Sequence, residues 1–236
     1  MIFLLNTLKE AGVSVYYPIE DKDGGYIQSF PAAEGMRHGV LFSYARGKVM
    51  NSPEPAQLKS LGTEMARFHN VSSTIVLEGN NRVFDAATTL FGPLETVREC
   101  FLNDQEGFDW LYRAARKVEE RLKTLDTANF SSGYCHFDFL PKNFHFDGDK
   151  VCLFDFDFFG YGWLVNDIMT FWVHLTLDVF FNRITQEAAD KSYAIFLQAY
   201  QSQRSLSTDE LKAVPYLSLG FWLFYMNFHT THDQFY

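Results

Sequence analysis

Positions 134 to 157 read Tyr-Cys-His-Phe-Asp-Phe-Leu-Pro-Lys-Asn-Phe-His-Phe-Asp-Gly-Asp-Lys-Val-Cys-Leu-Phe-Asp-Phe-Asp, a run in which oxygen-bearing side chains interrupt an apolar context. Asn143 and Asp155 offer an amide and a carboxylate oxygen. A hard cation such as Mg²⁺ takes such donors, commonly one or two from the protein with phosphates and waters completing the shell. Asp138 stands upstream of Asn143 on a stretch constrained by Pro141. A carboxylate there, not needed by the metal, is suited to accept the proton of a hydroxyl attacking a γ-phosphoryl group, with positioning and charge neutralisation supplying most of the catalysis. Lys142 reads either as a counter-charge for the transferring phosphate or as an ordinary exposed loop lysine. Asp157 alternates with Asp155 on what reads as a strand end, so it is either a further ligand or merely solvated.

These residues need elements to hold them. Phe144–Phe146 and Val151–Phe154 are short strand-like runs, and Asp147-Gly148-Asp149 between them is strong turn chemistry. The pattern predicts a tight hairpin with Asn143 opposite Phe154 or Asp155. Upstream, Met1–Ala11 reads as a helix ending at Gly12. Val13–Ile19, Tyr26–Phe30 and His38–Tyr44 then suggest a small antiparallel meander. Leu58, Leu61, Met65 and Phe68 recur at helical spacing, as do Phe108, Leu111, Ala115, Val118, Leu122 and Leu125. Further helices are expected across Trp163–Leu177, Gln186–Tyr200 and Leu211–Phe228, with Pro215 a candidate kink.

The pattern His136-x-Asp138-x-x-x-x-Asn143, followed by a strand ending in Asp155, resembles the catalytic and metal-binding segments of the aminoglycoside phosphotransferase and choline kinase superfamily, distant relatives of protein kinases. Leu61-Gly62-x-x-Met65-Ala66-Arg67-Phe68-His69 is similar to that family's first C-lobe helix, and Gly160–Ile168 to the stretch after its metal-binding Asp. The resemblance covers roughly Met1 to Leu177. It implies an α+β, protein-kinase-like fold with a small partial antiparallel N-lobe sheet and a larger, mostly helical C-lobe. It implies ATP and Mg²⁺ as cofactors, Asp138 as the catalytic base, His136 as a loop-shaping member of the catalytic segment, and Asp167 as a brace for that loop. Gly39–Ala45 is similar to the inter-lobe hinge, so the backbone of Phe42, Ser43, Tyr44 and Ala45 is expected to meet adenine. The sequence departs from the family pattern in three ways. Phe137 replaces a common Gly, Phe158 stands where many relatives carry an acid, and no GxGxxG loop with its strand lysine is present, so the N-lobe is expected to lack its first part.

Composition bounds the alternatives. With 236 residues, 47% hydrophobic and 17% aromatic, the chain has ample core material for one large domain or two lobes, which excludes a disordered or fibrous protein. The Pro- and Gly-bearing segment after Ala45 marks the expected boundary, with a partial N-lobe over 1–45 and a helical C-lobe over 46–236. A net charge of -9 argues against nucleic acid or anionic membrane as partners and favours a small, amine-containing substrate such as an aminoglycoside, choline or an amino alcohol. The three cysteines match neither a zinc site nor a redox pair, which fits a reduced, cytoplasmic setting. No apolar run reaches the length of a membrane span. Trp163, Trp172, Trp222, Phe221 and Tyr225 are either core or a cage for a cationic substrate. The expected activity is transfer of phosphate to a hydroxyl of a small molecule. The alternatives are a non-catalytic kinase-like remnant or fragment that binds without transfer, and a nucleotide-sugar transferase using Asp155 and Asp157 as a metal-binding pair.

Overall fold

The computed structural model describes residues 1–232, which divide into two compact units. The first comprises Met1–Ile75, Leu140–Asp157 and Asp190–Arg204. Its opening helix α1 (Ile2–Glu10) buries Leu4, Leu5 and Leu8 completely, the single apolar stripe that the sequence offers there. Helix α2 (Pro55–Ser72) starts where Pro55 can sit without losing a hydrogen bond, and the Glu54 N–H donates to the Gln57 side chain at 2.9 Å. Leu58, Leu61, Met65 and Phe68 of α2 turn inward as their spacing predicts. The C-terminal part of α6 (Gln186–Gln201) adds Phe196 and Tyr200 to the same core, and buried His69 pairs its Nδ1 with the Tyr200 hydroxyl at 2.8 Å.

The expected meander is a two-stranded hairpin instead, β1 (Ile27–Ala32) against β2 (Gly35–Val40), with Phe30 opposite Arg37. Val13–Ile19 does not form a strand. It makes only single bridges, Val15 beside Leu153 and Pro18 beside Phe42. Pro18 has no N–H to extend a ladder, which limits the pairing at that point.

The second hairpin of this unit joins β5 (Phe144–Asp147) to β6 (Lys150–Leu153), registered Phe144 to Leu153 and Asp147 to Lys150. Gly148 takes φ +61 in its two-residue turn, a conformation that costs glycine little. Phe144, Phe146, Val151 and Leu153 face the core, as period-two alternation requires.

The second unit comprises Val76–Phe139, Phe158–Ala189 and the described residues from Ser205 onward. Its sheet runs β3 (Val83–Phe84), β7 (Gly160–Trp163), β4 (Ser132–Cys135), parallel on one side of β7 and antiparallel on the other. Around it lie α3 (Gly92–Val97), α4 (Gln105–Leu122), α5 (Val165–Phe180) and α7 (Thr208–Thr231). Leu90, Leu94, Phe108, Ala115 and Leu223 form one apolar cluster among them. Asp104 caps α4 by accepting from the Gly107 N–H, and Ser207 caps α7 in a reciprocal box with Glu210. Pro215 lies inside α7, which continues through it. Among the described residues no helix is long and apolar enough to cross a membrane.

Candidate active site

In the second unit, β4 delivers the chain to His136, Phe137 and Asp138. Four antiparallel pairings with β7 fix where that strand ends, the last setting Cys135 opposite Gly160. The loop that follows is held by α5. Asp167, fully buried in the first turn of that helix, accepts the N–H of His136 at 2.8 Å and of Phe137 at 2.7 Å. Hydrogen bonds to a charged acceptor are roughly twice as strong as neutral ones, so one carboxylate fixes two successive peptide planes. Thr170, one turn along, accepts the Phe139 N–H at 3.3 Å and donates to the Asp167 carbonyl at 3.0 Å. The Asp138 N–H donates to His136 Nδ1 at 3.3 Å, so that nitrogen is the acceptor of the imidazole. His136 is fully buried and Asp138 is 2% exposed. His136 thus shapes the loop that carries Asp138.

Phe137 adopts φ +63 in this loop. A phenylalanine in left-handed backbone is strained, and it persists where surroundings over-determine it. Here the Asp167 clamp and ring stacking on Phe84, centroids 3.7 Å apart and nearly parallel, do so. The neighbouring thiol of Cys135 is pushed far up, first by complete burial and then by the Asp167 charge, so it carries no reactive thiolate.

Asn143 and Asp155 belong to the first unit. Pro141–Asn143 is one 3₁₀ turn closed by the Asn143 N–H donating to the Leu140 carbonyl at 2.8 Å, and the Phe154 N–H donates to the Asn143 carbonyl at 3.0 Å. Asn143 therefore lies opposite Phe154, and Asp155 follows at the same end of the hairpin, in line with the predicted register. The Asn143 side chain is 2% exposed, whereas Asp155 is exposed and also has φ +63. That backbone reversal ends the extended run, and Phe156–Phe158 is a 3₁₀ turn. The strand alternation expected of Asp155 and Asp157 is therefore absent. Lys142 is exposed.

The donor set at this hairpin end, one amide and one carboxylate oxygen, suits a cation that takes few protein ligands and keeps waters and phosphates. Among the described residues no three His, Cys, Asp or Glu side chains cluster as a metal cage, so a zinc-type site has no support.

Tyr16 escaped the sequence reading. Its hydroxyl accepts the Phe156 N–H at 3.4 Å, and its ring lies against Phe42, Phe154 and Phe156. Burial, with smaller contributions from the Asp157 and Asp155 charges, pushes its pKa up to about 12. No local spacing marks Tyr16, because its partners are far along the chain. Thr170 was detectable: it lies three residues after Asp167, on the same helical face.

In the predicted hinge, the Ser43 N–H and hydroxyl serve Tyr17, at 2.8 and 3.0 Å, and the Ala45 carbonyl pairs with His145 Nδ1 at 2.9 Å. The Ser43 carbonyl and the Ala45 N–H meet no partner among the described residues. Of the aromatic residues weighed as a cage, Phe221 is core, 4.7 Å from Tyr225, and Trp163 packs edge-on against Phe130.

Comparison with known proteins bears on the family and the fold. The sequence model of the phosphotransferase enzyme family matches residues 4–212. An uncharacterised protein of Deinococcus radiodurans is 28% identical over 94% of this chain and 63% of its own length. A homoserine kinase of Rhizobium etli is 27% identical over 92% of the chain and 64% of its own length. The chain therefore spans less than two thirds of these curated relatives. An amicoumacin kinase structure superposes with a TM-score of 0.73 at 18% identity, over 100% of this chain and 69% of that one. A microcompartment-associated aminopropanol kinase superposes at 0.72 and 19% identity, over 97% and 71%. These likenesses establish a protein-kinase-like α+β fold. With the family pattern extending from the first helix into α7, the chain belongs to the phosphotransferase enzyme family.

Proposed function

We propose that this protein transfers the γ-phosphoryl group of ATP, with Mg²⁺, to a hydroxyl of a small amino alcohol. The observation that carries the reading is the two-amide clamp of Asp167 on the loop that bears buried Asp138. A general base must be held within hydrogen-bond reach of the proton it removes, and a loop fixed at successive amides supplies that restraint. Asp138 takes the acceptor's hydroxyl proton as its oxygen attacks phosphorus. Asn143 and Asp155 hold the metal, which when bound neutralises charge on the phosphates.

The hinge supports adenine. Its Watson–Crick edge carries a donor next to an acceptor, and the Ser43 carbonyl and Ala45 N–H offer the complementary pair two residues apart on one irregular segment. Lys142 is assigned to the phosphates. The acceptor class is supported by the names of similar proteins, a homoserine kinase, an aminopropanol kinase and a pneumococcal choline kinase, each named for an alcohol that carries a cationic nitrogen. The net charge of -9 favours such cations over anionic substrates.

The test is a coupled ADP-release assay with homoserine, 1-amino-2-propanol, choline and an aminoglycoside. One of the amino alcohols should be turned over, and Asp138→Asn should lower kcat by about 10²–10⁴-fold. Mg·AMP-PNP affinity should stay within about twofold in that variant. Turnover retained in Asp138→Asn would remove Asp138 as base and favour a metal-centred transferase built on Asp155 and Asp157.

A further inference from the structure

The second unit contains a cavity of about 190 Å³ whose lining does not include Asp138. Phe84, Leu90, Leu122, Phe137 and Phe221 wall it, and Asn166 reaches it from the first turn of α5. Asn166 is 4% exposed, yet its side-chain amide has no hydrogen-bond partner among the described residues. Its amide atoms stay accessible from the cavity, so a donor and an acceptor are open there to a ligand that pairs with both.

Size and charge narrow the occupant. An apolar cavity of about 150 Å³ is known to hold benzene, so the volume here suits one or two fused rings. Three phenyl rings, Phe84, Phe137 and Phe221, line the cavity and favour an aromatic body. Glu119 is already paired with Lys123 at 3.0 Å and Arg116 at 3.3 Å, and the other lining carboxylate, Asp85, accepts the Thr88 N–H at 2.8 Å and the Thr88 hydroxyl at 3.0 Å, so a neutral ligand leaves these local partnerships intact.

We propose that this cavity is a second binding site, for a neutral planar heteroaromatic molecule whose adjacent N–H and C=O pair with the Asn166 carboxamide while its rings lie among Phe84, Phe137 and Phe221. All of its lining residues belong to the second unit, and it does not depend on the chain being a kinase.

Ligand-observed NMR titration with 2-quinolinone, and with naphthalene as the ring lacking the polar edge, tests the assignment. The folded protein should bind 2-quinolinone saturably, with unchanged affinity in excess Mg·AMP-PNP. Asn166→Leu should weaken 2-quinolinone by about tenfold or more while changing naphthalene by less than about twofold, the loss expected for two net hydrogen bonds. Independently, Leu217 also lines the cavity, so Leu217→Trp, which puts ring volume into it, should abolish both, and circular dichroism with a urea midpoint confirms that each variant is folded. No saturation by folded wild type, displacement by Mg·AMP-PNP, or equal 2-quinolinone affinity in Asn166→Leu would each overturn the proposal.

Discussion

Phe137 sits at φ +63 with its ring stacked on Phe84 and edge-on to Phe224 at 5.1 Å, so backbone strain and side-chain burial oppose each other at one residue. Removing a buried phenyl ring costs about 3–5 kcal/mol, and left-handed backbone costs an L-residue about 1–2 kcal/mol that glycine avoids. Phe137→Ala loses the ring and keeps the strain, whereas Phe137→Gly loses both. The alanine variant should therefore be the less stable of the two by about 1 kcal/mol. Urea midpoints of the pair decide it, and a reversed order would show that the backbone is not strained there. Asp167 permits a sharper test. Asp167→Asn retains an acceptor but not its charge, and it should lower stability by about 2–4 kcal/mol. Hydrogen exchange should speed up at the His136 and Phe137 amides in that variant. If those amides keep their protection, the clamp is not what holds the loop.

At the scale of elements, the crossing of α2 and α6 in the first unit turns on Gly62. In an isolated helix, Gly→Ala gains about 1 kcal/mol of propensity. Here a Cβ would run into the Phe196 carbonyl and approach the Tyr200 N at 3.1 Å. The neighbour is backbone and cannot rotate aside, so sterics win. Gly62→Ala should destabilise the protein by about 1–3 kcal/mol, measured by thermal unfolding. A stabilised variant would mean that the helices pack less closely than described. The β5–β6 hairpin illustrates the opposite case, an element that its own residues specify. Turn chemistry sets its loop and alternation sets its inward face, so the ends carrying Asn143 and Asp155 follow from local rules.

For the molecule as a whole, pH and salt are the levers. His174 is largely buried on α5, with its Nε2 3.4 Å from Asp178 Oδ2. Burial lowers its pKa below the ordinary 6.5, Asp178 opposes that, and Arg183 adds to it. The unfolded chain then binds this proton more readily than the folded one. Its contribution to stability is complete above pH 6.5 and is lost as pH falls below that value toward the lowered folded pKa. Glu64 works in the other direction: burial raises its pKa, with Ser14 N–H and Arg67 opposing, so its ionisation costs stability as pH rises above 4.5. Comparing wild type with His174→Gln isolates the histidine. The urea midpoint of wild type should fall more between pH 7 and 5.5 than that of the variant, and parallel curves would refute the assignment. An ammonium-bearing acceptor attracted by the net charge of -9 should show a KM that rises with salt while kcat holds. A salt-independent KM would locate recognition in contacts rather than in the field.

The sequence by itself determined the helices with sustained apolar spacing, the hairpin around Asp147-Gly148-Asp149, and the ordered residues His136, Asp138, Asn143, Asp155 and Asp167, because each rests on periodicity, turn chemistry or a spacing of a few positions. It misjudged Val13–Ile19, whose strand-like composition found no ladder, and the Asp155–Asp157 segment, where a left-handed residue interrupts the extended run. Only the tertiary structure decided that Asp167 grips two amides some thirty positions upstream, that Tyr16 lies against Phe154 and Phe156, and that Asn166 opens into a cavity. These contacts join residues distant along the chain, and side-chain burial and hydrogen bonding across such separations are set by packing, on which local propensity carries no information.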